Sequence, residues 1–191
     1  MSTVSDEGIA VINASTNLVL RQRRDQAVEF HNSANRLYVL QFVQVADISG
    51  HNVLYFMLRL AGGMRGGLPD KDMGRMVVAV IVRYLVEHPD DLVCYCHFDN
   101  PLSNALNRIF HNWASHNHDL LDENCISFFD GDGHDERNLG FHFMVVHKKE
   151  CKDVSLLKEY IQENSDDFGT VLREQISLLN DIEKKKQDGD G

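Results

Sequence analysis

The chain has 191 residues, 43% of them hydrophobic, with 29 acidic against 19 basic side chains and a formal net charge of -10. That length and apolar content suit one domain with a sizeable core, and only three prolines argue against a disordered or collagen-like chain. The acidic balance excludes a general phosphate-backbone binder and disfavours anionic membranes, so neither a nucleic-acid nor a membrane partner is expected.

The first residues, MSTVSDEGIAVINAS, have no basic flank and no long apolar run, so no targeting signal is read there. No segment reaches the ~20 apolar residues of a membrane span, and the expected location is cytoplasmic. The four cysteines are Cys94, Cys96, Cys125 and Cys151. No C-x-x-C pair occurs, which leaves a zinc site unsupported and favours free thiols in a reducing compartment.

In chain order, Ile9–Ile12 and Leu18–Leu20 read as short strands or a weak hairpin within an N-terminal extension, residues 1–25. Ala27–His31 and Arg36–Val45 read as strands joined by the turn-prone Asn32–Asn35. A turn at Asp47–Asn52 leads to the strand Val53–Leu60, and three strands with short joins form an antiparallel meander. A glycine-rich stretch follows, with four glycines from Gly62 to Gly67. A helix begins near Pro69-Asp70. Met73, Met76, Val77, Val80, Ile81, Tyr84 and Leu85 keep helical spacing, and Val78, Ala79 and Val82 make it apolar nearly all round. Such a helix is expected to be covered on both sides, by the sheet and by the C-terminal helices. His88-Pro89-Asp90-Asp91 ends it.

Leu92–Phe98 fits an interior strand. Pro101–His116 is an amphipathic helix with Pro101 in the favoured first position. An acidic stretch carries seven carboxylates between Asp119 and Glu136 and contains the strand Ile126–Phe129. The loop Asp130–Asn138 joins it to the strand Leu139–His147. Helices at about 153–163 and 168–185 close the chain before a frayed tail. The order predicts an α+β fold: a mixed, mostly antiparallel sheet with helices on both faces. Residues 26–150 form the domain, and the C-terminal helices of residues 151–191 pack on it.

Over roughly residues 26–147 this order resembles the acyl-CoA N-acyltransferase (GNAT) superfamily. There a meander leads into a loop and helix whose Gln/Arg-x-x-Gly-x-Gly/Ala amides hold the cofactor pyrophosphate. A parallel strand, a helix and a closing hairpin follow. The nearest stretch here is Lys71-Asp72-Met73-Gly74-Arg75-Met76, a degenerate version with Lys71 in the Gln/Arg place, Gly74 matching and Met76 last. The resemblance implies an acyl-CoA donor, acetyl-CoA or another, held by Gly66, Gly67, Lys71, Gly74 and Arg75. The run from Val82 to Asn117 also resembles a family of short uncharacterised bacterial proteins. Their helix pattern Ala-x-Asn-Arg-Leu-Phe-x-x-Trp is carried here by Ala105, Asn107, Arg108, Ile109, Phe110 and Trp113.

By position, His97 and Asp99 stand at the C-terminal end of a central strand, the usual ligand rim of a layered sheet, and are the candidate catalytic bases. Asn107, Arg108 and His111 share one side of a helix and are candidates for binding a substrate or partner. Asp130–Asp135 superficially resembles a calcium loop but lacks its glycine and final glutamate, so a hairpin turn is expected and no metal. Cys94 and Cys96 lie inside a strand, where nothing activates them. Two functions fit: an acyl-CoA N-acyltransferase-like protein of unknown substrate, or a non-catalytic module that binds a protein partner or a second copy through its acidic loop or C-terminal helices.

Overall fold

The computed structural model describes residues 4–48, 50–62, 71–98, 101–134, 140–151 and 154–163, and a few positions between 169 and 177, with backbone alone at 97–98, 101–107 and 161–162. Among the described residues, seven strands form one sheet: β1 (Leu20–Gln22), β2 (Val28–His31), β3 (Leu37–Ile48), β4 (His51–Gly62), β5 (Leu92–Phe98), β6 (Ile126–His134) and β7 (Gly140–Lys148). Their order is β1-β2-β3-β4-β5-β7-β6. Every neighbouring pair is antiparallel except β4 with β5, which is parallel. The mixed α+β sheet read from the sequence is therefore present.

The joins follow local chemistry. Between β2 and β3 the Asn32 side chain accepts from the amides of Ala34 and Arg36, at 3.1 and 2.9 Å. Between β3 and β4 the Asp47 carboxylate accepts from Gly50 N at 2.9 Å, and Gly50 takes φ +87°, a conformation that glycine reaches without strain.

Helix α1 (Asp6–Ser15) replaces the strand expected at Ile9–Ile12. Ser5 caps it by accepting from Gly8 N at 3.0 Å, and Asp6 and Glu7 in the first turn suit the helix dipole. Four apolar residues do not distinguish helix from strand, and burial of Gly8 and Ile12 one turn apart settles the outcome. The clamp is tertiary: Glu87 accepts from Ser5 N and Ser5 Oγ at 2.8 and 2.6 Å and from Arg83 Nε at 2.8 Å.

Helix α2 (Lys71–Glu87) is buried from Met73 through Val82 apart from Arg75. Its β-branched run disfavours helix locally, yet burying each such side chain contributes roughly 1.5–3 kcal/mol and overrides that preference. The sheet covers one side of α2, and α1, α3 (Pro101–His116) and α4 (His118–Glu123) flank it. Helix α5 (Val154–Glu163) packs through Leu157 on the opposite face, against Val53, Cys94, Phe143 and Val145, so it does not cover α2 as expected. Helices thus lie on both faces. The second C-terminal helix, about 168–185, falls largely outside the described residues.

Two further corrections concern the acidic stretch. Residues 118–123 form α4, and Asp130–His134 continues β6 instead of turning. Gly131 and Gly133 serve the strand: a Cβ at either would overlap the rings of Phe143 and Phe141. Cys94 and Cys96 are free thiols buried in the sheet, and Cys125 is a free thiol exposed at the surface.

Candidate functional site

Strands β4 and β5 pair only over Val53–Tyr55 and Leu92–Cys94. Both continue past that point, β4 to Gly62 and β5 to Phe98, with no further pairing between them. Burial follows the pairing: Val53 to Phe56 are buried, whereas Met57 to Leu60 are half-buried. A network fixes the paired end. Asp91, itself buried, accepts from Tyr84 Oη at 2.6 Å and from Asn52 Nδ2 at 2.9 Å, tying α2 and β4 to the start of β5.

The divergence opens a cavity of about 290 Å³ bounded by β3, β4, β5, the first turn of α2 and the middle of α3. Tyr38, Phe56, Leu58, Met73, Tyr95, Ile109, Phe110 and Trp113 are among its walls. Phe110 holds the aromatic floor, with ring centroids 4.0 Å from Tyr95, 5.2 Å from Phe56 and 5.0 Å from Trp113. Tyr55 Oη donates to Cys96 O at 3.4 Å. Burial pushes the phenols of Tyr55 and Tyr95 well above their ordinary value, so both stay protonated and serve as donors, not bases. Neither Met76, fully buried in the core, nor α5, on the other face, fills the cavity.

Helix α2 starts at Lys71, so its first-turn residues at the cavity mouth are Lys71, Asp72 and Met73, just upstream of Gly74. Lys71 is exposed, and Asp72 accepts from Asn17 Nδ2 at 2.8 Å. Gly74 lies under Trp113, where a Cβ would overlap the indole and stand 2.7 Å from Nε1; its structural work is the close approach of α3 to α2. The Arg75 side chain turns to α4, donating to Asp119 at 3.0 Å and Asn117 at 3.4 Å. That hydrogen bond from Arg75 holds the Asp119 carboxyl below its ordinary value. Gly66, Gly67 and Asp99 lie outside the described residues.

Sheet register sets position 97 on β5 beside His142 on β7, and His142 beside Asp132 on β6. His142 Nδ1 and the Asp132 carboxylate are in hydrogen-bond contact. Two residues along β6, Asp130 meets His111 of α3 at 3.1 Å. The sheet therefore sets position 97 and His111 near His142, which the sequence reading did not single out, and near Asp130 and Asp132, which it read as part of a hairpin turn. The available signal was the alternation of Gly140–Lys148, where His142, Met144 and Val146 share a face. Arg108 is exposed, and of Asn107 only the backbone is described. Among the described residues, no group of three or more His, Cys, Asp or Glu side chains is arranged to hold a metal, and no helix is long and apolar enough to cross a membrane.

Compared with family models, with curated proteins and with solved structures, the chain matches none of them.

Proposed function

We propose that the chain is an acyl-CoA N-acyltransferase whose donor lies between β4 and β5. The observation that carries this reading is the divergence of the two parallel strands after Tyr55 and Cys94, which leaves an apolar cavity ending at the first turn of α2. The dipole at the start of α2 favours an anion at that place, and Lys71 adds charge. Asp72 opposes an anion there, and its carboxylate is held by Asn17 Nδ2. When bound, the donor supplies an activated thioester carbonyl. An acceptor amine would form the new C–N bond as the C–S bond breaks, its proton passing to His142, which sits beside position 97 in the sheet, while the thiolate leaves with coenzyme A. Asp132 orients His142 through Nδ1, and the buried Tyr95 phenol remains a proton donor facing the cavity.

Calorimetry and thermal melting with coenzyme A and acetyl-CoA test this. A ligand present at about a hundred times its dissociation constant adds about 2.7 kcal/mol to the folded state. Lys71→Glu should weaken binding. No shift at millimolar ligand sinks the proposal.

A second reading, a protein-binding module, is favoured by the edge strand β6, where Phe128 is 38% exposed. It takes over if no coenzyme A species binds.

A further inference from the structure

The reading above leaves the donor's acyl group open, and the cavity bears on it. No charged side chain is among its described walls; Tyr38, Phe56, Leu58, Met73, Ile109 and Trp113 give it aliphatic and aromatic surfaces. At about 290 Å³ it is far larger than a two-carbon acetyl group. An apolar cavity of about 150 Å³ holds the six carbons of benzene, so this one has room for an aliphatic chain beside part of the thioester's own arm. We infer that the cavity receives the chain of a medium-length acyl thioester, on the order of six to eight carbons, rather than acetyl alone. Half-buried residues such as Leu58 and Ile109 gain cover from such a chain, and each buried methylene strengthens binding by about fourfold. This rests on the acyl-CoA reading.

The test is calorimetry of the full chain with coenzyme A and its acetyl, butanoyl, hexanoyl and octanoyl thioesters. Affinity should climb by about fourfold per methylene and level off near eight carbons. Ile109→Trp, which puts an indole into the cavity, should flatten the climb; Leu58→Trp fills it from the sheet side should the first variant fold poorly. If coenzyme A and every thioester bind equally, the chain assignment is overturned while the acyl-CoA reading stands. If the climb persists unchanged in both folded variants, the chain lies elsewhere and the inference is wrong. If no species binds at millimolar concentration, the acyl-CoA reading fails and takes this inference with it.

Discussion

The Tyr84 hydroxyl donates to the buried Asp91 carboxylate at 2.6 Å, one residue before the paired end of β4 and β5. Asn52 completes the contact from β4, and Gln44 Nε2 in turn donates to Asn52 Oδ1 at 2.8 Å from β3. A buried acceptor that loses its donor costs roughly 1–3 kcal/mol. Tyr84→Phe removes only the donor and leaves the ring stacking on Phe42 at 4.4 Å. Urea unfolding should therefore show a loss of about 1–3 kcal/mol. Because Tyr84 and Asn52 share Asp91, the pair Tyr84→Phe with Asn52→Ala should be non-additive by at least about 0.5 kcal/mol. Wild-type stability in Tyr84→Phe would remove the network from the account of the cleft.

The elements that build the cleft were legible, because each rests on local chemistry. Short apolar runs between turn residues marked β2 to β5, helical spacing marked α2 and α3, and the stretches Asn32–Asn35 and Asp47–Asn52 marked the turns. What spacing does not carry is register. Nothing near Tyr55 in the sequence indicates that pairing with β5 stops there, and nothing near His142 shows that Asp132 lies opposite. The four apolar residues Ile9–Ile12 do not point to a helix by themselves, and the Ser5 cap that starts α1 is held by Glu87, 82 residues away. The glycines at 131 and 133 suggested a turn, whereas the Phe143 and Phe141 rings require them in a strand.

Gly74 offers a test in which two effects oppose one another. Alanine in a helix interior is favoured over glycine by about 1 kcal/mol. Here the added Cβ would overlap the Trp113 indole, and overpacking of this kind costs roughly 1–3 kcal/mol. Packing should win, so Gly74→Ala should lower the unfolding midpoint. With Trp113→Leu already in place the same change should become neutral or stabilising. An equal loss in both backgrounds would mean that the indole is not the obstacle.

Thiol labelling separates the cysteines by burial. Cys94 and Cys96 are inside the sheet, where burial pushes the Cys94 thiol up to about 12 and the Cys96 thiol well above its ordinary value. The thiolate is the reactive form, so neither should react with iodoacetamide at neutral pH in the folded protein. Cys125 is exposed and should be labelled first, with Cys151, half-buried, slower. Peptide mass spectrometry reads the order directly. Rapid labelling of Cys94 in native protein would contradict the closed core between β5 and α5.

Glu87 ties helix α1 to α2 and gives that contact a pH dependence. Burial alone would raise its carboxyl, but hydrogen bonds from Ser5 Oγ, Ser5 N and Arg83 outweigh it and hold the group below the ordinary 4.5. A carboxyl depressed in the folded state contributes stability that is complete above that unfolded value and is lost as pH falls through the lower folded one. Glu87→Gln should therefore be less stable than the wild type at pH 7, by about 1–2 kcal/mol, since hydrogen bonds to a charged group are being weakened. The gap should close as the pH falls below the ordinary 4.5 and through the lower folded value. The protection factor of the Gly8 amide, whose N–H is held by the Ser5 cap, should be lower in the variant than in the wild type at pH 7, and the two should converge in acid once intrinsic exchange rates are divided out. A gap that stays constant over that range would mean that the charge on Glu87 does not hold α1 in place.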